Sequence, residues 1–119
     1  MEKTKIIIGI LIVIAIVSVL VIKENRDNSP KISLEAFSKC LNNSGSVMYG
    51  TSWCHFCNEQ KTMFGPSFKY INFVDCDQNR TLCQNNGISG YPTWIIKGTP
   101  YSGVQEFSQL SAASGCPYN

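Results

Sequence analysis

Clusters of positive charge are missing from this sequence. Lysine and arginine number 10 against 8 aspartate and glutamate residues, so the formal net charge is only +2. A nucleic-acid partner requires clustered cations that neutralise its phosphates, so we expect no nucleic-acid binding. Length is also limited, because 119 residues leave no room for a large barrel or a doubly wound enzyme fold.

A second long hydrophobic run is also missing. The single run covers residues 6–22, is interrupted only by Gly9 and Ser18 and carries no charge. As a helix it would span about 25 Å, near the lower limit for crossing the hydrocarbon core of a bilayer. A cleavable signal peptide is the alternative, but residues 19–22 are bulky where a cleavage site requires small side chains. We therefore expect an uncleaved membrane anchor.

This run divides the chain into four predicted parts. Residues 1–5 form a short N-terminus, 6–22 the anchor, 23–31 a polar tether and 32–119 a single domain. All six cysteines lie in that domain, which favours an oxidising compartment because a reducing cytosol gives disulfides no advantage. Basic residues flank the run on both sides, so the cysteines decide the orientation. We expect a single-pass protein of the cell membrane with a cytoplasmic N-terminus and an extracytoplasmic domain.

Apolar spacing, turn residues and β-branched runs predict the secondary structure of the domain. A helix capped by Ser33 is followed by a strand at 47–50, a helix at 54–68 kinked near Gly65, a strand at 70–76, a short helix at 80–86, strands at 92–96 and 101–104, and a final helix from Val104 to Ala113. The first strand-helix-strand unit predicts two parallel strands, and the late hairpin predicts an antiparallel pair. The expected fold is therefore α/β, with a mixed sheet flanked by helices.

Two cysteines three residues apart, Cys54 and Cys57, stand at the predicted start of the second helix. They would lie one turn apart, so their sulfurs can close into a disulfide and open again. The first sulfur would face free backbone amides and the positive end of the helix dipole, which favour its thiolate. Cys54 is the predicted nucleophile and Cys57 the resolving thiol that breaks a mixed disulfide. A zinc site is the alternative, with Cys76 and Cys83 as further ligands, although a zinc ribbon normally has a second CxxC.

A second motif, GYPTW, precedes the third predicted strand. The segment WCHFC at a strand-to-helix junction, followed by YPT before a strand, resembles the thioredoxin superfamily over residues 33–116. The resemblance implies a thioredoxin-like fold with a cis bond before Pro92, which would pack beside the cysteine pair. The backbone of Tyr91 would then offer edge hydrogen bonds to an extended substrate segment. A trans proline at the start of the strand is the alternative. Trp53 is expected to shield the sulfurs.

The resemblance can be narrowed. The segments MYGTSWCHFCNEQKTMFG, GYPTWIIKG and SGC look like the thioredoxin-like domain that is fused to, or works beside, bacterial and plastid homologues of vitamin K epoxide reductase. In that group the domain exchanges disulfides with the membrane enzyme, which passes electrons to quinone. The resemblance thus implies oxidation of client protein thiols and re-oxidation by a separate membrane enzyme of that kind. It implies no cofactor beyond the Cys54–Cys57 disulfide, and no metal.

Two positions depart from the thioredoxin pattern. Thioredoxins usually carry a buried acid six residues before the first active-site cysteine, where this chain has Met48. Proton transfer at Cys57 must then rely on water or on another group. Between the cysteines stand His55 and Phe56, so the histidine is one place earlier than in isomerases and periplasmic oxidases. When charged, His55 would stabilise the Cys54 thiolate; otherwise it is a solvated side chain.

The four other cysteines allow three disulfide pairings. We expect Cys76 to pair with Cys83 across a turn-rich segment, and Cys40 with Cys116 between the first and last predicted helices. Both bridges are expected to be structural, although Cys76 and Cys83 could instead form a second redox pair. Two rival functions stay open, a zinc-binding structural module and a redox-inert domain that holds peptides along the Pro92 edge.

Overall fold

The structure is a computed structural model that describes residues 1–24 and 32–119. The chain divides into two compact units, Met1–Lys31 and Ile32–Asn119. The expected tether at 23–31 falls almost wholly on residues 25–31, which lie outside the described residues.

The first unit contains one long helix, α1 (Glu2–Glu24). Apolar side chains cover it all round, and no part of its most apolar segment, Glu2–Ile22, is buried inside the protein. By length and composition this helix can cross a membrane. A membrane anchor and a signal sequence both fit this finding.

The second unit is an α/β domain with a mixed sheet. Its elements are α2 (Leu34–Asn43), β1 (Val47–Gly50), α3 (His55–Phe64), a 3₁₀ helix (Gly65–Tyr70), β2 (Asn72–Asp75), α4 (Arg80–Asn85), β3 (Thr93–Ile96), β4 (Thr99–Ser102) and α5 (Phe107–Ser114). The strand order is β2-β1-β3-β4. The strands β1 and β2 are parallel, whereas β1 with β3 and β3 with β4 are antiparallel. This confirms the predicted thioredoxin-like α/β fold and both predicted strand directions.

The predicted helix at 54–68 is wrong in its extent. α3 ends at Phe64, because Gly65 takes a positive φ of 54° that interrupts the helix. Pro66 then stands near the start of the 3₁₀ helix, where the missing N–H of proline costs nothing. The predicted kink is therefore a change of helix type, and Phe68 still packs against the core from the 3₁₀ helix.

The ends of the last two elements also differ from the prediction. β4 begins at Thr99 rather than at residue 101, because Lys97 and Gly98 alone form the turn, with positive φ angles of 50° and 78°. α5 begins at Phe107 rather than near Val104, because Glu106 caps it through reciprocal hydrogen bonds with Gln109. Local capping chemistry overrides the apolar spacing that includes Val104.

Two clusters of buried side chains lie on the two faces of the sheet. The larger contains Cys54 and Cys57 and is filled by Phe37, Leu41, Met48, Phe64, Ile71, Trp94, Ile96, Leu110 and Cys116. The smaller contains Tyr49, Cys76 and Cys83. Met48 and Tyr49 are neighbours on β1, so strand alternation sends their side chains to opposite faces. The cysteine pair therefore packs into the main core, together with Trp94.

Candidate active site

Cys54 stands at the N-cap of α3. Its backbone is extended, with φ −72° and ψ 121°, and its sulfur accepts a hydrogen bond from the backbone N–H of Cys57 at 3.1 Å. The first turn of a helix presents free amide groups at this position, and these groups favour negative charge. Cys54 retains 7% exposure, whereas Cys57 has none. A visiting sulfur can therefore approach Cys54 but not Cys57.

Cys57 is a buried thiol in the first turn of α3. Both cysteines are free in this structure, which therefore shows the dithiol form. The pKa of Cys57 is raised to about 12, first by burial and then by hydrogen bonding with Cys54, while a backbone hydrogen bond from Thr51 and the charge of Lys61 oppose the shift. The thiol therefore keeps its proton at neutral pH. The two cysteines differ in access, as attack and resolution require.

The stability of the dithiol form should fall at alkaline pH. In the folded domain the pKa of Cys57 is about 12, above its ordinary value of 9.0. Between these two pKa values the folded state holds the Cys57 proton and the unfolded chain has lost it. The contribution of Cys57 to the free energy of unfolding is therefore full below about pH 9 and is lost as the pH rises towards 12. Urea unfolding of the full chain in detergent between about pH 8 and pH 10 measures it. The disulfide form, in which Cys57 cannot titrate, is the control, and equal pH slopes in both forms would contradict the expectation.

The sulfur of Cys57 packs against the backbone of Gly50, at the end of β1. A Cβ atom at residue 50 would lie 2.7 Å from Cys57 Sγ and 3.2 Å from Cε2 of Phe73. The first distance is far inside van der Waals contact, so any side chain at residue 50 would displace the sulfur. Glycine is therefore required by close approach, and the edge of the Phe73 ring is a neighbour of the Cys57 sulfur.

Gly50→Ala should destabilise the domain by about 1–3 kcal/mol, the usual cost of overpacking a core, and should slow closure of the Cys54–Cys57 disulfide. Urea unfolding and the rate of oxidation by glutathione disulfide measure the two effects. Gly90→Ala is the matched control, because a Cβ there meets nothing within 4 Å. Equal stability of the two variants would show that the Cys57 site can expand freely.

A cis peptide bond joins Tyr91 to Pro92. Pro92 is buried directly before β3, and its carbonyl accepts a hydrogen bond from the backbone N–H of Gly103 at 2.8 Å. The Thr93 hydroxyl donates to the carbonyl of Gly90 at 2.8 Å, which closes the preceding turn. The side chain of Tyr91 is half-buried and packs against both core clusters, one of which contains the cysteine pair. These hydrogen bonds fix the segment around Pro92, whose backbone the resemblance to thioredoxins implied as the edge that binds a substrate segment.

Aromatic side chains stand exposed around the cysteine pair. Trp53 is 68% exposed, donates a hydrogen bond from Nε1 to Asp77 Oδ2 at 2.7 Å, and meets the ring of Tyr91 edge-on at 6.2 Å between centroids. The rings of His55 and Phe56 contact each other, with 5.3 Å between their centroids, and Phe56 is 57% exposed. Shielding of the sulfurs by Trp53 stays a prediction. Asp77 was missed because its contact with Trp53 depends on the parallel pairing of β1 and β2.

Gln60 is a second residue that the sequence did not single out. Its side chain is fully buried, and its Oε1 accepts hydrogen bonds from Trp94 Nε1 at 3.1 Å and from the backbone N–H of Gln105 at 2.7 Å. Its Nε2 donates to the Gln105 carbonyl at 3.1 Å. These bonds tie α3, one turn after Cys57, to β3 and to the segment before α5. The amide thus helps to hold the cysteine pair in place relative to the strand that follows Pro92.

The remaining four cysteines form two disulfides. Cys40 is bonded to Cys116 across 76 residues, and Cys76 to Cys83 across 7 residues. The second bond lies in the smaller core cluster, where both cysteines are 3% exposed. The Cys76–Cys83 bond also excludes the alternative of a zinc site with four thiolate ligands, because the sulfurs of Cys76 and Cys83 are bonded to each other.

Comparisons with known proteins agree with this geometry. No family model matches the sequence. The chain is similar to the thiol-disulfide oxidoreductase LTO1 of Arabidopsis thaliana, with 38% identity over 89 residues that cover 67% of this chain and 24% of that protein. It is also similar to protein disulfide isomerase-like 2-2 of Oryza sativa subsp. japonica, with 36% identity over 63 residues, 44% of this chain and 17% of that protein. The chain thus spans a quarter or less of the length of these relatives.

Among solved structures, a thioredoxin of Fasciola hepatica aligns with 73% of this chain and 97% of its own, at 19% identity and a TM-score of 0.44. The likeness to thioredoxins rests instead on the sheet order, the CxxC pair at the N-terminus of α3, the cis proline before β3 and the curated relatives. The unit Ile32–Asn119 accordingly has a thioredoxin-like fold, and its sequence is similar to those of thiol-disulfide oxidoreductases and protein disulfide isomerases.

Proposed function

We propose that this protein is a membrane-anchored thiol-disulfide oxidoreductase that acts on client proteins through Cys54 and Cys57. The observation that carries the proposal is the unequal access of the two sulfurs, one at a helix N-cap with residual exposure and the other fully buried one turn later. An enzyme of this type needs one sulfur that meets the client and one that the client cannot reach. The redox-active group is the cysteine pair itself, so no further cofactor is required.

In the oxidising direction, a client thiolate attacks the Cys54 sulfur of the Cys54–Cys57 disulfide. The bond between the two cysteines breaks, Cys57 leaves as a thiolate and takes up a proton, and a mixed disulfide joins the client to Cys54. A second client thiolate then attacks the client sulfur and releases Cys54. The client has lost two electrons, which now reside on the Cys54–Cys57 dithiol. The free thiols of Cys54 and Cys57 support a dithiol form of the kind that this step produces.

Client binding is proposed to use the segment around Pro92. The backbone of Tyr91 would pair with an extended client segment in the manner of an added strand. Backbone hydrogen bonds of this kind depend little on the amino-acid sequence of the client. The exposed rings of Trp53 and Phe56 would contact apolar client side chains, such as those of an incompletely folded protein. Together these contacts favour broad acceptance of clients.

We further propose that oxidation of client proteins is the working direction, and that a quinone-linked membrane enzyme like vitamin K epoxide reductase removes the electrons. Three features support this proposal: the apolar helix α1, the two further disulfides and the sequence resemblance. The proposed orientation places the N-terminus in the cytoplasm and the domain outside it, where disulfides persist.

Trapping tests the proposal. The full chain carrying Cys57→Ala is expressed in its native host, and adducts on Cys54 are separated on non-reducing gels and identified. We expect secreted proteins as clients and a polytopic membrane protein as the electron acceptor. The double variant Cys54→Ala/Cys57→Ala is the control and should capture nothing. If Cys57→Ala also captures nothing and client disulfides form normally with Cys54→Ala, the domain is a redox-inert peptide-binding module instead.

A further inference from the structure

The active site provides no acid on β1 for the proton of Cys57. The position that carries a buried acid in thioredoxins is Met48, which is fully buried in the main core. Its partner on β2 is Phe73, another apolar side chain. Yet each turnover places a negative charge on the Cys57 sulfur, and an apolar pocket opposes that charge. Some other group of the chain must stabilise it.

Lys61 lies one turn after Cys57, on the same face of α3. Its side chain is half-buried, and its Nζ lies 4.1 Å from the ring centroid of Phe73 and 5.6 Å from that of Phe68. A cation at such a distance is held by the ring quadrupole. An edge atom of the same Phe73 ring abuts the space above Gly50 that the Cys57 sulfur also borders. The Phe73 ring thus contacts the Lys61 ammonium and also borders the space that the resolving sulfur borders.

Other charges near Cys57 are arranged differently. The titratable and charged groups on the adjacent elements are Cys54, His55, Glu59 and Lys61 on or capping α3, Tyr49 on β1, Asp75 on β2, and Lys69 and Tyr70 on the 3₁₀ helix. By strand alternation Asp75 shares the face of Phe73, but its Oδ1 accepts a hydrogen bond from the backbone N–H of Asp77 at 2.9 Å. Lys69 lies over Tyr70, at 5.0 Å from the centroid. Lys61 is the cation on the Cys57 side, and its charge favours the Cys57 thiolate.

We propose that Lys61 is a positioning residue, whose ammonium is held on the Phe73 ring and stabilises the negative charge that the Cys57 sulfur carries during resolution. The inference rests on the proposed function. In this step the Cys57 thiol gives its proton to water, and the thiolate attacks Cys54 Sγ. The bond between Cys54 and the client breaks, and the client leaves as a thiolate that takes up a proton. In the reverse direction Cys57 departs with the same charge, so Lys61 acts in both directions.

A two-phase reaction tests the role of Lys61. The reduced full chain in detergent is mixed with a small aromatic disulfide that releases a coloured thiolate. Attack by Cys54 releases the first thiolate, and resolution by Cys57 releases the second. Lys61→Met should leave the first phase unchanged and slow the second about threefold to tenfold at neutral pH. The loss should shrink at high salt, because salt screens the charge. Lys61→Arg should restore the second phase.

Lys69→Met is the matched control, since it removes the same charge from a ring contact that does not border Cys57. It should leave both phases unchanged. An unaltered second phase in Lys61→Met would overturn the inference while leaving the proposed function intact. A slower phase that Lys61→Arg does not restore, with a lower unfolding midpoint, would also overturn it, because the role would then be structural. Absence of both phases in the unmodified chain would contradict the proposed function itself.

Discussion

Cys54→Ser should reduce disulfide exchange to the uncatalysed rate. A serine hydroxyl is not ionised at neutral pH and forms no disulfide, so the variant lacks both the nucleophile and the covalent intermediate. Cys57 cannot take over, because its sulfur is fully buried and its pKa is raised to about 12 by burial. The remaining cysteines are held in disulfides. Oxidation of a dithiol peptide by the full chain in detergent, with glutathione disulfide as the oxidant, measures the effect.

Cys57→Ser is the informative control for this variant. It keeps Cys54, so it should still form one mixed disulfide per chain, which mass spectrometry detects. It should not turn over at the normal rate, because nothing resolves the adduct. If Cys54→Ser retained exchange well above the uncatalysed rate, a different sulfur would be the nucleophile and the roles assigned to the pair would be wrong.

Removal of the disulfide between Cys40 and Cys116 should have the largest effect on stability. The bond closes a loop with a sequence separation of 76. On the loop-entropy model such a bridge contributes up to about 4.5 kcal/mol to the free energy of unfolding. Domains of this size have a total of about 5–15 kcal/mol, so Cys40→Ala/Cys116→Ala should be marginally folded. The free energy from urea unfolding of the full chain in detergent gives the measurement.

The bridge between Cys76 and Cys83 provides the comparison, because its sequence separation is only 7. The same model assigns it about 2.5 kcal/mol, so Cys76→Ala/Cys83→Ala should lose clearly less stability. A larger loss from the short bridge would show that packing in the smaller core cluster, and not loop closure, dominates. Loss of exchange activity with stability retained would instead identify Cys76 and Cys83 as a second redox pair.

Local signals made most of the fold predictable. Ser33 caps α2, and its hydroxyl accepts the hydrogen bond from Ala36 that the sequence implied. The strand β1 has the predicted bounds, because a short apolar run between polar turns has few alternatives. The predictions failed at the ends of α3, β4 and α5. There the outcome depends on a positive φ at Gly65, a two-residue turn and a capping box, which override apolar spacing and move these ends by two to four residues.

The candidate active site was likewise predictable only where the signal is local in the sequence. Cys54 and Cys57 could be predicted as a reactive pair from the sequence because the CxxC motif and the helix start that orients it are adjacent in the chain. The places of Gln60, Lys61 and Asp77 near this pair could not be predicted, because each depends on a contact with a residue of another element. A glutamine or lysine on an amphipathic helix is normally interpreted as solvated. Only the packing of α3 on the sheet shows that Gln60 is buried and that Lys61 contacts Phe73.

The bond between Cys40 and Cys116 also turns the domain into a covalent ring that includes α3, the sheet and the exposed turn at Lys97. A peptidase that cuts the chain once after Lys97 would therefore release no fragment. Residues 98–119 would stay attached through Cys116, and the nicked molecule would remain continuous with the apolar helix at its N-terminus. Loss of material would require a second cut or a reductant, so a single cut at this turn would leave β4 and α5 attached to the part of the domain that carries Cys54 and Cys57.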